Sequence, residues 1–261
     1  MEQQVLGRSL PLVIAHRGDS AHFPENTIPA FTAAVAAGAD MIELDVTMTA
    51  DGHLVVIHDR TVDRTTDGTG RVSDLTLARL RKLDAGSWKG SRFRGVRVPT
   101  LEEVFEAVGK TLPINIEIKA DGKVPDGLLP MLLATMRKVG ISRSVILSSF
   151  KFTLLERLRT LDGAIAVSVL SDISEPVNDI VKKVRAVGAL SYNPDQKHLD
   201  EEKIGLLHGE GILVFPWSTG KRNTATTMKR LLSWDTDGFF ANDPRLFREL
   251  SAGIRHPLQN G

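Results

Sequence analysis

Met41-Ile42-Glu43-Leu44-Asp45-Val46 is the stretch that decides how this chain folds. It has the length and apolar content of a buried strand, yet it carries two carboxylates. Side chains alternate along a strand, so Ile42, Leu44 and Val46 share one face while Glu43 and Asp45 share the other. Residues 114–119 repeat the pattern, with Ile114, Ile116 and Ile118 opposed to Asn115, Glu117 and Lys119. A barrel strand packs its outward face on helices, so the acidic residues must point inward. Near the carboxyl ends of the strands, inward means into the mouth of the barrel.

Working outward, short apolar segments at 12–15, 41–46, 114–118, 145–148, 164–170, 190–192, 213–215 and 238–241 read as strands, with helical patterns between them. Ile28, Phe31 and Val35 share a helix face that Gly38 closes, and Gly140 and Gly188 end other helical runs. Thr100-x-x-Glu103 is a capping box ahead of Leu101, Val104, Phe105 and Val108. About eight strands alternating with helices point to an α/β closed parallel barrel, with a doubly wound open sheet as the structural alternative. One connection breaks the rhythm. Between Val46 and His58 there is too little chain for a crossover helix, and Asp51-Gly52 is a turn signal. A hairpin is therefore expected after the second barrel strand, with Asp45 roughly opposite His58. The hairpin opens an insertion at about 47–98 that holds a short helix near 75–83 and Asp84-Ala85-Gly86-Ser87-Trp88. The whole chain, 1–261, is expected to be a single domain.

The bulk composition excludes several classes of function. With 42% hydrophobic residues over 261 positions the chain can bury a full core. The net charge is +1 and only 5% of residues are aromatic, so nucleic acid is not an expected partner. The near-zero charge decides nothing about oligomeric state. Without cysteine there is no disulfide, thiolate nucleophile or cysteine-ligated zinc. No apolar run reaches membrane-spanning length and residues 1–10 lack the order of a signal peptide, so a cytoplasmic protein without stable membrane insertion is the expectation.

Three carboxylates converging from two strands repel one another unless a cation sits among them. Glu43, Asp45 and Glu117 offer hard oxygen ligands suited to Mg²⁺ or Ca²⁺, with Mn²⁺ also compatible. The other reading is a set of internal salt bridges, for instance Glu117 with Lys119 or Arg17. His16 and His58 end apolar runs beside charged residues and titrate near neutrality, which suits proton transfer. Arg17 and Lys119 are natural anchors for phosphate oxygens. His22, His53, His198, His208 and His256 have loop or helix-surface contexts, and of these His22 lies nearest the site loop. Trp88 and Phe93 in the insertion read as core residues.

The combination His16-Arg17-Gly18, Pro24-Glu25-Asn26-Thr27, Glu43-x-Asp45, His58-Asp59 and Glu117-Ile118-Lys119 resembles the glycerophosphodiester phosphodiesterase family. Asp84-Ala85-Gly86-Ser87-Trp88, Pro99-Thr100-Leu101-Glu102-Glu103, Ser148-Ser149-Phe150 and Trp217 extend the match in order over nearly the whole chain. The resemblance implies a TIM (β/α)8 barrel with a small hairpin-plus-loop insertion after the second strand. It implies a divalent metal at Glu43, Asp45 and Glu117, His16 and His58 as the acid/base pair, and Arg17, Lys119 and Trp217 as substrate contacts. Asn26 and Thr27 then shape the loop and cap the first helix, and Glu25 supports His16 or Arg17. The implied reaction is metal-dependent hydrolysis of a small glycerophosphodiester to glycerol 3-phosphate and an alcohol. A lysophospholipid-directed phosphodiesterase and a non-catalytic diester-binding barrel are the alternatives. Two elements depart from the family pattern, Trp217-Ser218-Thr219-Gly220-Lys221-Arg222-Asn223 and Ala241-Asn242-Asp243-Pro244. The first lies where the alcohol part of the substrate would bind.

Overall fold

The computed structural model describes residues 4–119 and 124–252. Its centre is a barrel of parallel strands β1 (Leu12–His16), β2 (Met41–Met48), β3 (Ile114–Ile118), β4 (Val145–Ser149), β5 (Ala166–Ser171), β6 (Ser191–Pro194), β7 (Leu213–Val214) and β8 (Gly238–Ala241). Each strand leads into a helix that packs outside: α1 (Ile28–Ala36), α2 (Leu101–Val108), α3 (Leu128–Val139), α4 (Phe152–Leu161), α5 (Val177–Ala186), α6 (Glu201–Gly209), α7 (Ala225–Ser233) and α8 (Pro244–Ser251). Strands β1 to β7 pair consecutively in chain order, and β8 returns to pair with β1. The gap between β7 and β8 is bridged by two backbone bonds, Asp237 N–H to Val214 O at 3.2 Å and Phe240 N–H to Pro216 O at 3.1 Å. A doubly wound sheet would show a reversal in strand order, and this order has none. None of the described helices is long and apolar enough to cross a membrane.

Local signals place the elements much as expected. The capping box at Thr100 and Glu103 is formed in full, and Gly38 and Gly140 take the left-handed conformation that ends α1 and α3. The alternation in β2 and β3 also holds. Ile42, Leu44, Val46, Ile114, Ile116 and Ile118 are buried in the outer layer with Leu101, Val104, Phe105 and Leu132 of the helices. The inner face is graded. Its floor is apolar, built from Leu12, Ile14, Met41, Ile146, Leu213, Phe215 and Phe240, with Val5 and Leu10 of the N-terminal segment packed in from below. Polar residues lie above, with Asn115 bonded to Ser148 at 2.9 Å and Ser168 to Ser191 at 2.8 Å. Charge is confined to the top.

The hairpin forms, with its register one residue from expectation. Strand Leu54–Val56 pairs antiparallel with β2 through Val46–Val56, Thr47–Val55 and Met48–Leu54, which sets Asp45 against Ile57 rather than His58. Thr49 N–H donates to His53 O, so the loop between them has an odd number of residues and centres on Asp51, with Gly52 at φ 83°. The rest of the insertion folds over a second core of Val55, Ile57, Val62, Val72, Leu80, Ala85 and Val98. Phe93 is buried as expected, whereas Trp88 stands 39% exposed. Its indole N–H is bonded to Ala85 O at 2.9 Å, so the ring is fixed on the rim of the mouth instead of joining the core.

Of the histidines read as structural, His256 lies outside the described residues. His22 bonds Asp19 at 2.8 Å and His208 bonds Asp237 at 2.8 Å. The same Asp237 carboxylate accepts the Val214 N–H at 2.7 Å, beside the closing seam of the barrel. The hydrogen bond to Asp237 raises His208 above its ordinary 6.5, outweighing partial burial. A raised folded-state value contributes stability that is complete below the unfolded pKa and fades as pH rises through the folded one. His208→Gln should therefore lower the melting temperature more at about pH 5.5 than at about pH 9. Equal losses at both values in a thermal melt would contradict the ion pair.

Candidate active site

The loop after β1 turns back on itself so that its backbone faces β2. Arg17 and Asn26 hold left-handed backbone, at φ 59° and 57°, and Gly18 follows at φ 82°. A Cβ on Gly18 would lie 2.6 Å from the Ala30 carbonyl carbon, so this approach of the loop to α1 requires glycine. The turn aims the Arg17 N–H at Glu43 Oε2, 2.9 Å away. Asn26 grips Asp45 twice, its amide donating to Oδ2 at 2.7 Å and its Oδ1 accepting the Asp45 N–H at 3.3 Å. Asn26 thus pins the loop to β2, more than merely shaping it. Thr27 is the N-cap of α1 by position, but its hydroxyl donates to Pro24 O at 2.6 Å instead of capping the helix.

Losing the amide leaves the buried Asp45 carboxylate short of a donor, at a cost of about 1–3 kcal/mol. The left-handed backbone adds about 1 kcal/mol for any residue except glycine, asparagine or aspartate. Asn26→Ala should therefore melt below Asn26→Gly, and both below the wild type. Equal melting of the two variants would mean that the backbone strain contributes nothing.

Glu43, Asp45 and Glu117 come together as the alternation of the strands implies. One carboxylate oxygen from each lies within 4.8 Å of the other two. Burial, then Asp45 and Glu117, push Glu43 well above the ordinary carboxyl range. Burial and then Asp45 likewise raise Glu117. Burial acts the same way on Asp45, but Lys119 and Arg17 overcome it and hold that carboxyl below the usual range. Lys119 Nζ is 2.6 Å from Glu117 Oε1 and 3.5 Å from Asp45 Oδ1, and Arg17 Nε is 3.3 Å from Asp45 Oδ2. Of the internal ion pairs offered as the other reading, Glu117 with Lys119 is present, whereas Arg17 pairs with Asp45 and Glu25. They do not saturate the cluster, because Asp45 Oδ1 is buried and accepts no hydrogen bond. Three oxygen donors, two of them carrying proton affinity raised by burial and then by mutual repulsion, fit a hard divalent cation.

The two histidines come from different elements, and His58 follows the hairpin strand Leu54–Val56. His16 ends β1 beside Glu43 in register, and its Nδ1–H donates to Asn242 Oδ1 at 2.7 Å, which leaves Nε2 as an acceptor. Burial, reinforced by Arg17, pushes His16 from 6.5 down to about 3, so its imidazole is neutral at working pH. His58 Nδ1 is 2.6 Å from Asp59 Oδ1. Both residues line a cavity of about 540 Å³ at the barrel mouth, together with Arg17, Glu43, Asn115 and Glu117. The same cavity is lined by Trp88, Phe150, Leu170, Trp217 and Phe240, with Phe150 and Trp217 edge to face at 5.6 Å and Phe240 edge to face with His16 at 6.5 Å.

Sequence reasoning missed Asn242 and Arg64, and it placed Asn115 on the inner face without giving it a role. Asn242 has the parity of Phe240 on β8, which would have marked it as inward-facing. It also carries a function for one of the two departing elements, since it orients His16. Asn223 of the other departing element accepts the Asn242 N–H at 3.0 Å, so the two elements are joined. Glu25 bonds Arg17 at 2.8 Å and also bonds Arg64, a residue with no pattern to announce it.

The sequence profile of the Glycerophosphoryl diester phosphodiesterase family matches residues 16–246. The chain is 40% identical over 236 residues to a glycerophosphodiester phosphodiesterase of Caldanaerobacter subterraneus, an alignment covering 89% of this chain and 94% of that protein. It is 35% identical over 258 residues to a glycerophosphodiester phosphodiesterase of Bacillus subtilis, covering 93% and 87%. Among solved structures, an Oleispira antarctica phosphodiesterase in complex with the product sn-glycerol-3-phosphate superposes with a TM-score of 0.81 at 28% identity, covering 92% of this chain and 96% of the other.

Proposed function

The chain belongs to the glycerophosphoryl diester phosphodiesterase family, and from that premise we propose that it hydrolyses small glycerophosphodiesters to glycerol 3-phosphate and an alcohol in the cavity at its barrel mouth. The observation that carries the reading is the convergence of Glu43, Asp45 and Glu117 at a cavity lined by His16, His58 and Arg17, with Lys119 paired to Asp45 and Glu117. Glu43, Asp45 and Glu117 would hold a divalent cation such as Mg²⁺, Ca²⁺ or Mn²⁺. When bound, that ion supplies positive charge beside the phosphate oxygens, where negative charge builds in the transition state.

The remaining work falls to the chain's own side chains. Arg17 and Lys119 are kept charged by their carboxylate neighbours and provide fixed positive potential for the phosphate. His16, neutral and with Nε2 unprotonated, takes the proton from the attacking hydroxyl. His58 gives a proton to the leaving alkoxide as the phosphorus–oxygen bond to the head group breaks. The net change adds water across that bond. Trp217 and Phe150 form the wall that meets the non-phosphate part of the substrate. We assign the whole chain to one catalytic domain, with the insertion forming part of the rim of the site.

Phosphorus NMR on glycerophosphocholine with added divalent ion tests the reading. Growth of a glycerol 3-phosphate resonance is expected. A choline phosphate resonance in its place would mean that the other ester bond is cut and that the substrate lies reversed.

A further inference from the structure

The guanidinium of Arg64 takes hold of two carboxylates at once. Its Nε and Nη2 donate to Asp59 Oδ2 and Oδ1 at 2.6 and 3.0 Å, and its Nη1 and Nη2 donate to Glu25 Oε2 and Oε1 at 2.9 and 2.8 Å. Each carboxylate passes the contact on. Asp59 Oδ1 is 2.6 Å from His58 Nδ1, and Glu25 Oε1 is 2.8 Å from Arg17 Nη1. One planar group therefore lies between the candidate proton donor and the candidate phosphate anchor, which come from different loops. Arg64 itself is held in place. It sits on a turn closed by Thr66 N–H to Val62 O at 3.0 Å, and Val62 is buried in the insertion's own core.

We infer that Arg64 is a positioning residue that fixes His58 and Arg17 relative to each other, so that the insertion, through this one side chain, sets the geometry of both proton transfer and phosphate contact. This inference rests on the function proposed above. Two-point grips on two carboxylates need the flat fork of arginine, and the ammonium of lysine cannot reproduce them. Glu25 and Asp59 are both drawn down to about 2, consistent with permanently charged partners.

The test is a set of variants assayed on glycerophosphocholine with metal present. Arg64→Met should lower kcat/KM by about 10–100-fold, the usual scale for loss of an orienting partner. Its melting temperature should stay near that of the wild type, because Arg64 is 44% exposed. Arg64→Lys should not restore the rate. Glu25→Gln and Asp59→Asn should be non-additive when Arg64 is present and additive in the Arg64→Met background. Full activity in Arg64→Lys, or additive effects with Arg64 present, would overturn the inference. Wild-type silence on every diester would instead sink the functional reading. The positioning role is then read from the histidine NMR spectrum, where the His58 Nδ1–H resonance should persist in the wild type and broaden in Arg64→Met. An unchanged resonance would overturn it.

Discussion

His58→Ala should release glycerol 3-phosphate from glycerophosphocholine about 10²–10⁴-fold more slowly than the wild type, and should recover most of that loss on a glycerophosphodiester whose leaving group is p-nitrophenol. The selectivity of the rescue follows from the two ring environments. An alkoxide such as that of choline needs a proton as it departs, whereas a nitrophenolate leaves without one. A residue that serves only the leaving group therefore matters only for the poor leaving group. His16 faces the opposite demand. Its Nδ1–H is committed to Asn242, which leaves the Nε2 lone pair as the atom placed to accept a proton from the nucleophile. His16→Ala should lose a similar factor on both substrates. Rescue of His16→Ala with none of His58→Ala would reverse the two assignments, and rescue of neither would remove the leaving-group role altogether.

Glu43→Gln separates metal binding from catalysis in a thermal melt. In chelator, Glu43 is a buried carboxyl raised first by desolvation and then by Asp45 and Glu117. Its folded form holds its proton more tightly than the unfolded chain does, so ionising it costs stability. That cost is absent below the ordinary carboxyl range, grows as pH rises above it, and is complete once pH passes the raised folded value. The glutamine variant avoids the cost and keeps an oxygen to accept the Arg17 N–H. In chelator at neutral pH it should melt above the wild type, and near pH 4 the difference should vanish. Divalent ion reverses the ranking. At a free concentration one hundred times its dissociation constant a bound ion stabilises by about 2.7 kcal/mol. For a chain of this size that is a rise of roughly 5–10 °C. Wild type should show the rise and Glu43→Gln should show little of it. Equal rises in both would mean that the ion does not sit among these carboxylates.

The parts of the site that sequence makes legible are those governed by a two-residue period. Alternation in β2 and β3 put Glu43, Asp45 and Glu117 on one face, and barrel geometry turned that face into the mouth. The hairpin was legible from the shortness of the Val46–His58 connection, but its register was not. A loop centred on Asp51 rather than between Asp51 and Gly52 shifts every pair by one, and no residue preference fixes that choice. Asn242 and Arg64 were hidden for a different reason. Asn242 meets His16 across 226 positions, a contact made only when β8 closes on β1. Arg64 reaches Glu25 only because the insertion folds back over the first loop. Contacts that depend on closure of the whole barrel, or on the docking of an irregular segment, leave no local periodicity. Trp88 shows the converse limit. A large indole usually signals a core, but the bond from its ring N–H to Ala85 O and the Lys89 ammonium 5.8 Å from its ring centroid hold it on the rim.

Glycerol 3-phosphate release from glycerophosphocholine and glycerophosphoethanolamine, measured after exhaustive chelation and again after Mg²⁺, Ca²⁺ or Mn²⁺ is restored, tests the account most directly. It predicts no release in chelator, recovery with at least one of the ions, and no recovery in Asp45→Asn. Undiminished release in chelator would contradict the metal site. Silence with every ion, from a folded wild type that still binds the diester, would mean that the barrel binds phosphodiesters without cleaving them.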